Sequence, residues 1–209
     1  MNKSFIVAGI GTEIGKTFIS AIFTQALQAD YWKPIQSGNP EDADALFIEK
    51  MTRLPQLKIW ESAYVLSQPL SPHTAAEIDG VTIDLQKIQL PPTNNSLIVE
   101  LAGGVLVPIN DDQTNLDLIK KLDLPVLLVS KNYLGSINHT LLTYQILKDH
   151  QIPIMGIVFN GPSNPSGEKF ILKFTQLPVV LRVRQEEEIT PETILKYAQS
   201  ISNESVRKR

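Results

Sequence analysis

The stretch Gly9-Ile10-Gly11-Thr12-Glu13-Ile14-Gly15-Lys16-Thr17 constrains this chain more than any other. It follows the apolar run Phe5-Ile6-Val7-Ala8, which reads as a buried strand. It opens residues 16–29, where Ile19, Ile22, Phe23, Ala26 and Leu27 recur at helical spacing. A glycine-rich turn between strand and helix lets backbone N–H groups approach phosphate oxygens, and the helix N-terminus adds the positive end of its dipole. Lys16 is placed to reach β- and γ-phosphates, and the Thr17 hydroxyl to bind Mg²⁺. One spacing departs from the usual pattern. Ile10 stands where the first glycine of the phosphate loop is normally found, and Gly9 lies one residue further out. Glycines at 9, 11 and 15 do not make a dinucleotide fingerprint, and Gly15-Lys16-Thr17 favours a nucleoside triphosphate. A plain strand–helix turn with an exposed lysine would use the same glycines, but strand, loop, Lys-Thr pair and helix agree on the phosphate site.

The rest of the chain repeats the alternation of apolar strand and amphipathic helix. Strands are expected at Leu97-Ile98-Val99-Glu100, at Val126-Leu127-Leu128-Val129, over 154–159 and over 179–183. Helices are expected through Leu116, Ile119 and Leu122, from Ser136 or Asn138 through Ile146, over 168–174 and over 191–201. Tyr31 to Gly38 reads as one short strand running into a turn, and 54–96 as an irregular excursion from the sheet. Strands that are apolar throughout must be covered on both faces. The fold class is therefore α/β: a doubly wound, mostly parallel sheet with helices on both faces. With 209 residues, 1–209 is read as a single domain.

Composition mainly excludes. There are no cysteines, so there is no disulfide framework, thiol nucleophile or Cys-based metal site. Nineteen basic against 22 acidic residues leave a net charge of −3, which gives no reason to expect nucleic acid or an anionic membrane as partner. The apolar start is interrupted by Gly, Thr and Glu too early for a secretion signal, and no run approaches a membrane span. A cytoplasmic location is expected. The tail 205–209 reads as solvated.

Further motifs follow in order: Lys33-Pro34-Ile35-Gln36-Ser37-Gly38, Asp44-Ala45-Leu46, Pro69-Leu70-Ser71-Pro72-His73, Glu100-Leu101-Ala102-Gly103-Gly104, Leu134-Gly135-Ser136-Ile137-Asn138-His139, and Asn160. Together with the glycine loop, their order and spacing resemble the dethiobiotin synthetases, a P-loop NTPase family, over about residues 5–160. The resemblance implies an ATP- and Mg²⁺-dependent ligase that closes a cyclic urea on 7,8-diaminononanoate with CO₂ or bicarbonate. One amine becomes a carbamate, ATP phosphorylates it, and the second amine attacks to release phosphate. It also implies a homodimer with active sites at the interface.

On that resemblance Lys33, Lys16 and Thr12 are the catalytic candidates. Two ammonium groups and Mg²⁺ would neutralise the charge that builds between carbamate and triphosphate. Thr17, Asp44 and Glu100 are the metal candidates. Glu13, Ile14, Gly15, Lys16, Thr17, Phe18, Asp44, Glu100, Gly103, Asn160 and Gly161 form the nucleotide site, with Asn160 as the adenine contact. A second nucleotide contact is expected around 184–186. Ser37 and Thr12 are expected at the diamine end, and Gly135, Ser136 and Asn138 of the partner copy at the carboxylate tail.

From the residues alone several of these keep a second reading. Asp42 and Asp44 both sit where an acid caps a helix, and only the resemblance selects Asp44. Ser37 is equally a turn residue before Gly38. Gly135-Ser136 reads first as a capped helix start, Asn160-Gly161 is also a turn pair, and His139 reads as a packed or hydrogen-bonded histidine. Glu186-Glu187-Glu188 reads as a solvated loop. Three features depart from the family: Leu101 replaces a small residue and is expected to crowd or shift the loop at Glu100, Lys131-Asn132-Tyr133 replaces a lysine before Leu-Gly, and no adenine-loop signature follows Pro162. Two other classes share the glycine loop. Partition-type ATPase switches usually carry an extra early lysine, absent at Ile10-Gly11, and a nucleotide-binding module could have lost catalysis.

Overall fold

The computed structural model describes residues 3–39 and 44–201. The expected tail over 205–209 and the capping role weighed for Asp42 lie outside them. The alternation seen in the sequence becomes β1 (Phe5–Gly9), α1 (Lys16–Leu27), β2 (Asp30–Trp32), β3 (Ile35–Ser37), α2 (Asp44–Met51), β4 (Ile59–Trp60), β5 (Tyr64–Leu66), α3 (Pro72–Ile78), β6 (Leu97–Gly104), α4 (Asn115–Leu122), β7 (Val126–Lys131), α5 (Ser136–Asp149), β8 (Ile154–Asn160), α6 (Pro165–Thr175), β9 (Val179–Val183) and α7 (Pro191–Ser200). A 3₁₀ turn spans Leu85–Lys87.

Seven strands form one sheet in the order β4-β2-β6-β1-β7-β8-β9, every pair parallel. The chain places β2 and then the edge strand β4 on one side of β1, returns to insert β6 between β1 and β2, and then crosses to the other side with β7. Ligands of open α/β sheets bind in the crevice at such a crossing, beyond the strands' C-terminal ends. Side chains alternate across the sheet. Phe5 and Val7 pack with Ile19, Ile22 and Phe23 of α1, Ile48 of α2, Ile171 of α6 and Ile194 of α7. Ile6 and Ala8 pack on the other face with Ala75 of α3 and Leu116, Ile119 and Leu122 of α4. Both faces of the sheet are covered, as its uninterrupted apolar strands require.

Three local expectations are corrected. Residues 31–38 make two strands rather than one. Pro34 has no N–H to give a ladder, so the chain leaves the main sheet at Lys33-Pro34 and β3 pairs instead with β5 in a two-stranded sheet. The irregular stretch 54–96 is not wholly an excursion, because β4 returns to the main sheet as its edge beside β2. Glu100 does not end its strand. β6 runs on to Gly104, with its register against β1 shifting between the Val7–Glu100 and Gly9–Gly104 pairs. The extension holds because Asn115 Nδ2 donates to the Ala102 and Gly104 carbonyls at 2.6 and 2.9 Å.

Candidate functional site

The loop between β1 and α1 lies over the crossing point. Gly15 (φ 89°) turns the chain into α1, whose first-turn N–H groups have no intrahelical partner. Gly9 has a specific purpose. A Cβ there would lie 3.1 Å from Cγ and Cδ of Lys16, so the missing side chain makes room for the lysine stem. Ile10 is buried in the core. The displaced glycine thus serves Lys16, and the residue after it serves the core. Lys16 Nζ folds back across the loop and donates to the Gly11 carbonyl at 2.8 Å.

Thr17, Lys33, Asp44 and Glu100 converge beside it. The Thr17 hydroxyl is within hydrogen-bonding reach of Asp44 Oδ1 and, at 2.8 Å, of Glu100 Oε1. Lys33 Nζ pairs with Asp44 Oδ2 and lies 3.7 Å from Glu100 Oε1. Lys33 arrives there because the chain leaves the sheet at Pro34, next to β6. Asp44 arrives in the first turn of α2.

The charges are mutually adjusted. Burial depresses Lys16 below the ordinary lysine value; Glu100 opposes this, Lys33 reinforces it and Asp44 opposes it. Burial also acts against the charge on Lys33, but Glu100 and Asp44 outweigh it and hold the group above its ordinary value. Burial alone would raise Asp44. Lys33, with the Thr17 hydrogen bond, more than reverses this and holds the carboxyl low. Two carboxylates and one hydroxyl are hard oxygen donors of the kind Mg²⁺ accepts while keeping several waters, so these residues fit that ion.

The other expected residues distribute as follows. Thr12 and Glu13 are exposed on the loop, with Glu13 at φ 56° and its carbonyl accepting from Lys131 Nζ at 3.0 Å. Ile14 is buried, and its carbonyl accepts from Asn160 Nδ2 at 2.7 Å. The Phe18 ring is committed to the core against Tyr197, leaving its backbone N–H for the site. Gly103 (φ 75°) admits the Val107 side chain, and Gly161 (φ 93°) ties the end of β8 to the Val183 carbonyl at 3.0 Å. Ser37 Oγ is buried with no hydrogen-bond partner among the described residues, an orphaned hydroxyl beside Lys33's segment. The 184–186 loop is tied to α7, with the Tyr197 hydroxyl accepting from Arg184 N at 3.1 Å and bonded to Glu186.

Gly135, Ser136 and Asn138 do not join this cluster. Gly135 (φ 98°) starts α5, and Ser136 Oγ is buried, accepting from Tyr133 N at 3.3 Å. Gly135 and Asn138 line a separate cleft of about 680 Å³ with Asn132, Tyr133, Pro162 and Asn164. His139 is held by the Tyr133 hydroxyl at 2.6 Å. Leu101 does not crowd Glu100. It is 1% exposed and packs on the opposite face of the sheet, as strand alternation demands.

Sequence reasoning missed Tyr31, whose buried hydroxyl donates to Glu100 Oε2 at 2.9 Å. A signal existed: in an extended segment, residues two apart share a face, so Tyr31 belongs with Lys33. It also missed Asn132, whose Nδ2 donates to Pro162 O and to Glu168 Oε1, both at 2.9 Å. Nothing in the sequence marks that tie, because its partners lie 30 and 36 residues away.

Residues 3–193 match a family model described as an AAA domain. The chain is 52% identical over 197 residues to the ATP-dependent dethiobiotin synthetase BioD of Cytophaga hutchinsonii, covering 94% of this chain and 95% of that one. It is 44% identical over 199 residues to the protein of the same name from Christiangramia forsetii, covering 95% and 96%. Among solved structures, the septum site-determining protein MinD of Pyrococcus horikoshii superposes with a TM-score of 0.60 at 12% identity, covering 97% of each chain. That likeness is one of fold.

Proposed function

This chain belongs to the ATP-dependent dethiobiotin synthetase family and is an ATP-dependent ligase of biotin biosynthesis, and on that premise we propose that the cluster of Lys16, Thr17, Lys33, Asp44 and Glu100 carries its chemistry. The observation that supports this most is the convergence of buried Lys16, half-buried Lys33 and two acids at the mouth of the phosphate loop. The substrates are 7,8-diaminononanoate, CO₂ or bicarbonate, and ATP. The described residues form one synthetase domain, working in the cytoplasm where ATP is supplied.

The N–H groups of Gly15, Lys16, Thr17 and Phe18 receive the phosphates at the positive end of α1. Lys16 exchanges the Gly11 carbonyl for phosphate oxygens. Thr17, Asp44 and Glu100 would hold Mg²⁺, which would supply neutralisation of the phosphate charge. Lys33 exchanges its carboxylate partners for the carbamate formed from one amine, and steadies it against the γ-phosphoryl group. The carbamate oxygen takes that group from ATP, giving a carbamic–phosphoric anhydride and ADP. The second amine then attacks the carbonyl carbon, the ring closes, and phosphate leaves. Lys33 suits the first step because a compact ammonium can follow the charge as it moves. Ser37 Oγ, with no partner among the described residues, meets the polar end of the diamine, and Thr12 borders it. Asn160 contacts adenine with the amide atoms not used on Ile14, and Gly161 and Gly103 let backbone approach the nucleotide.

The same reading makes the working unit a homodimer, with Gly135, Ser136 and Asn138 receiving the substrate carboxylate of the other copy. The fully exposed Leu134 beside them supports a contact at this loop. The test of the whole reading is ATP turnover on purified protein. It should require both the diamine and bicarbonate and yield dethiobiotin. Turnover without the diamine, or nucleotide binding without turnover, would remove the ligase assignment for this chain.

A further inference from the structure

We propose that Tyr31 is a positioning residue that fixes which oxygen of Glu100 faces the phosphate site, an inference that rests on the metal role given to Glu100 above. The Tyr31 side chain is fully buried, and its hydroxyl donates to Glu100 Oε2 at 2.9 Å. The two carboxylate oxygens are thereby divided. Oε2 is held from within the core, while Oε1 faces Thr17 at 2.8 Å and Lys33 at 3.7 Å.

The sheet builds this division. β2 lies parallel to β6, with Tyr31 opposite Ile98 and Trp32 opposite Val99. Tyr31 and Ile98 share the face that packs on α1, so the phenol reaches along that face to Glu100. A phenol is chemically suited to this position. It offers one hydrogen bond without a charge, whereas a second lysine or an arginine would pair with Glu100 and compete with a metal. Partners that orient a ligating group from behind typically set metal affinity by 10–100-fold.

The test compares wild type, Tyr31→Phe, Glu100→Gln and the double variant. Phenylalanine keeps the ring and its packing and removes only the hydroxyl. Two quantities are read: Mn²⁺ binding by electron paramagnetic resonance in the presence of a non-hydrolysable ATP analogue, and binding of that analogue without metal. Tyr31→Phe should weaken Mn²⁺ binding about tenfold and leave metal-free analogue binding unchanged. In the double variant the tyrosine change should add nothing to Glu100→Gln, because the two act through one carboxylate. Unchanged Mn²⁺ binding in Tyr31→Phe, with a shift in Glu100→Gln, overturns the proposal and leaves the role of Glu100 standing. Unchanged Mn²⁺ binding in Glu100→Gln overturns the metal role itself and the proposal with it. Equal loss of metal-bound and metal-free binding in Tyr31→Phe shows a general packing role and also overturns it.

Discussion

The hydroxyl of Thr17 lies 2.8 Å from Oε1 of Glu100, joining the phosphate loop to β6 across 83 residues of sequence. Replacing Thr17 with the isosteric valine should raise the Mg²⁺ concentration needed for half-maximal turnover by about 10–100-fold. Thr17→Ser should retain most of the wild-type response. Metal titrations of the initial rate check both; a valine variant with a normal titration would refute the role of the hydroxyl.

Lys33 sits at the break between β2 and β3 and pairs with Asp44. Lys33→Ala should lower ring closure by at least about 10²–10³-fold, the usual cost of removing one preorganised electrostatic group. ATP affinity should change little. Rapid-quench product formation and equilibrium nucleotide binding separate the two effects. Full activity in the variant would exclude Lys33 from catalysis.

The two lysines should divide the pH response. Burial lowers Lys16, so ATP affinity should fall as pH rises through a value below that of a free lysine. Lys16→Ala should show weak binding throughout and no such fall. Lys33 is raised, so the stability from its pairing is present below the ordinary lysine value and is lost only as pH climbs through a higher one. Asp44 is lowered, so its share is present above the ordinary aspartate value and is lost as pH falls through a lower one. Nucleotide titrations and melting curves across pH measure these windows.

Gly15 joins loop to helix at φ 89°, and a Cβ there would come 2.3 Å from Asn160 Nδ2. Gly15→Ala should cost about 1–3 kcal/mol from backbone strain alone and break the Asn160–Ile14 tie. Denaturant unfolding and ATP binding should both deteriorate. Unaltered stability and affinity would show that this contact is not needed.

Leu101 packs away from Glu100, in the core beneath α4. Leu101→Ala should therefore lower stability by about 2–5 kcal/mol, as for other buried leucines. The metal titration of the folded enzyme should not move. A shifted titration would mean that the side chain reaches Glu100 after all.

The residues of the loop, Gly15-Lys16-Thr17 above all, were legible in sequence because their chemistry depends on local order: strand, glycine turn, lysine, helix. So was the α/β class, since apolar strands between amphipathic helices admit few other solutions. The pairing of β3 with β5 and the return of β4 to the sheet edge were not legible. Those strands are two or three residues long, and their partners are chosen by proximity in space. Leu101 shows the same division: the sequence marks an unusual residue beside Glu100, and only the pleat of β6 puts it on the far face. Composition and spacing alone thus determined that the chain carries a phosphate site on a parallel sheet. Tertiary structure alone decided that Thr17, Lys33, Asp44 and Glu100 meet there with Tyr31 behind them. Such a meeting depends on contacts spanning from 11 to 83 residues, which no local pattern encodes.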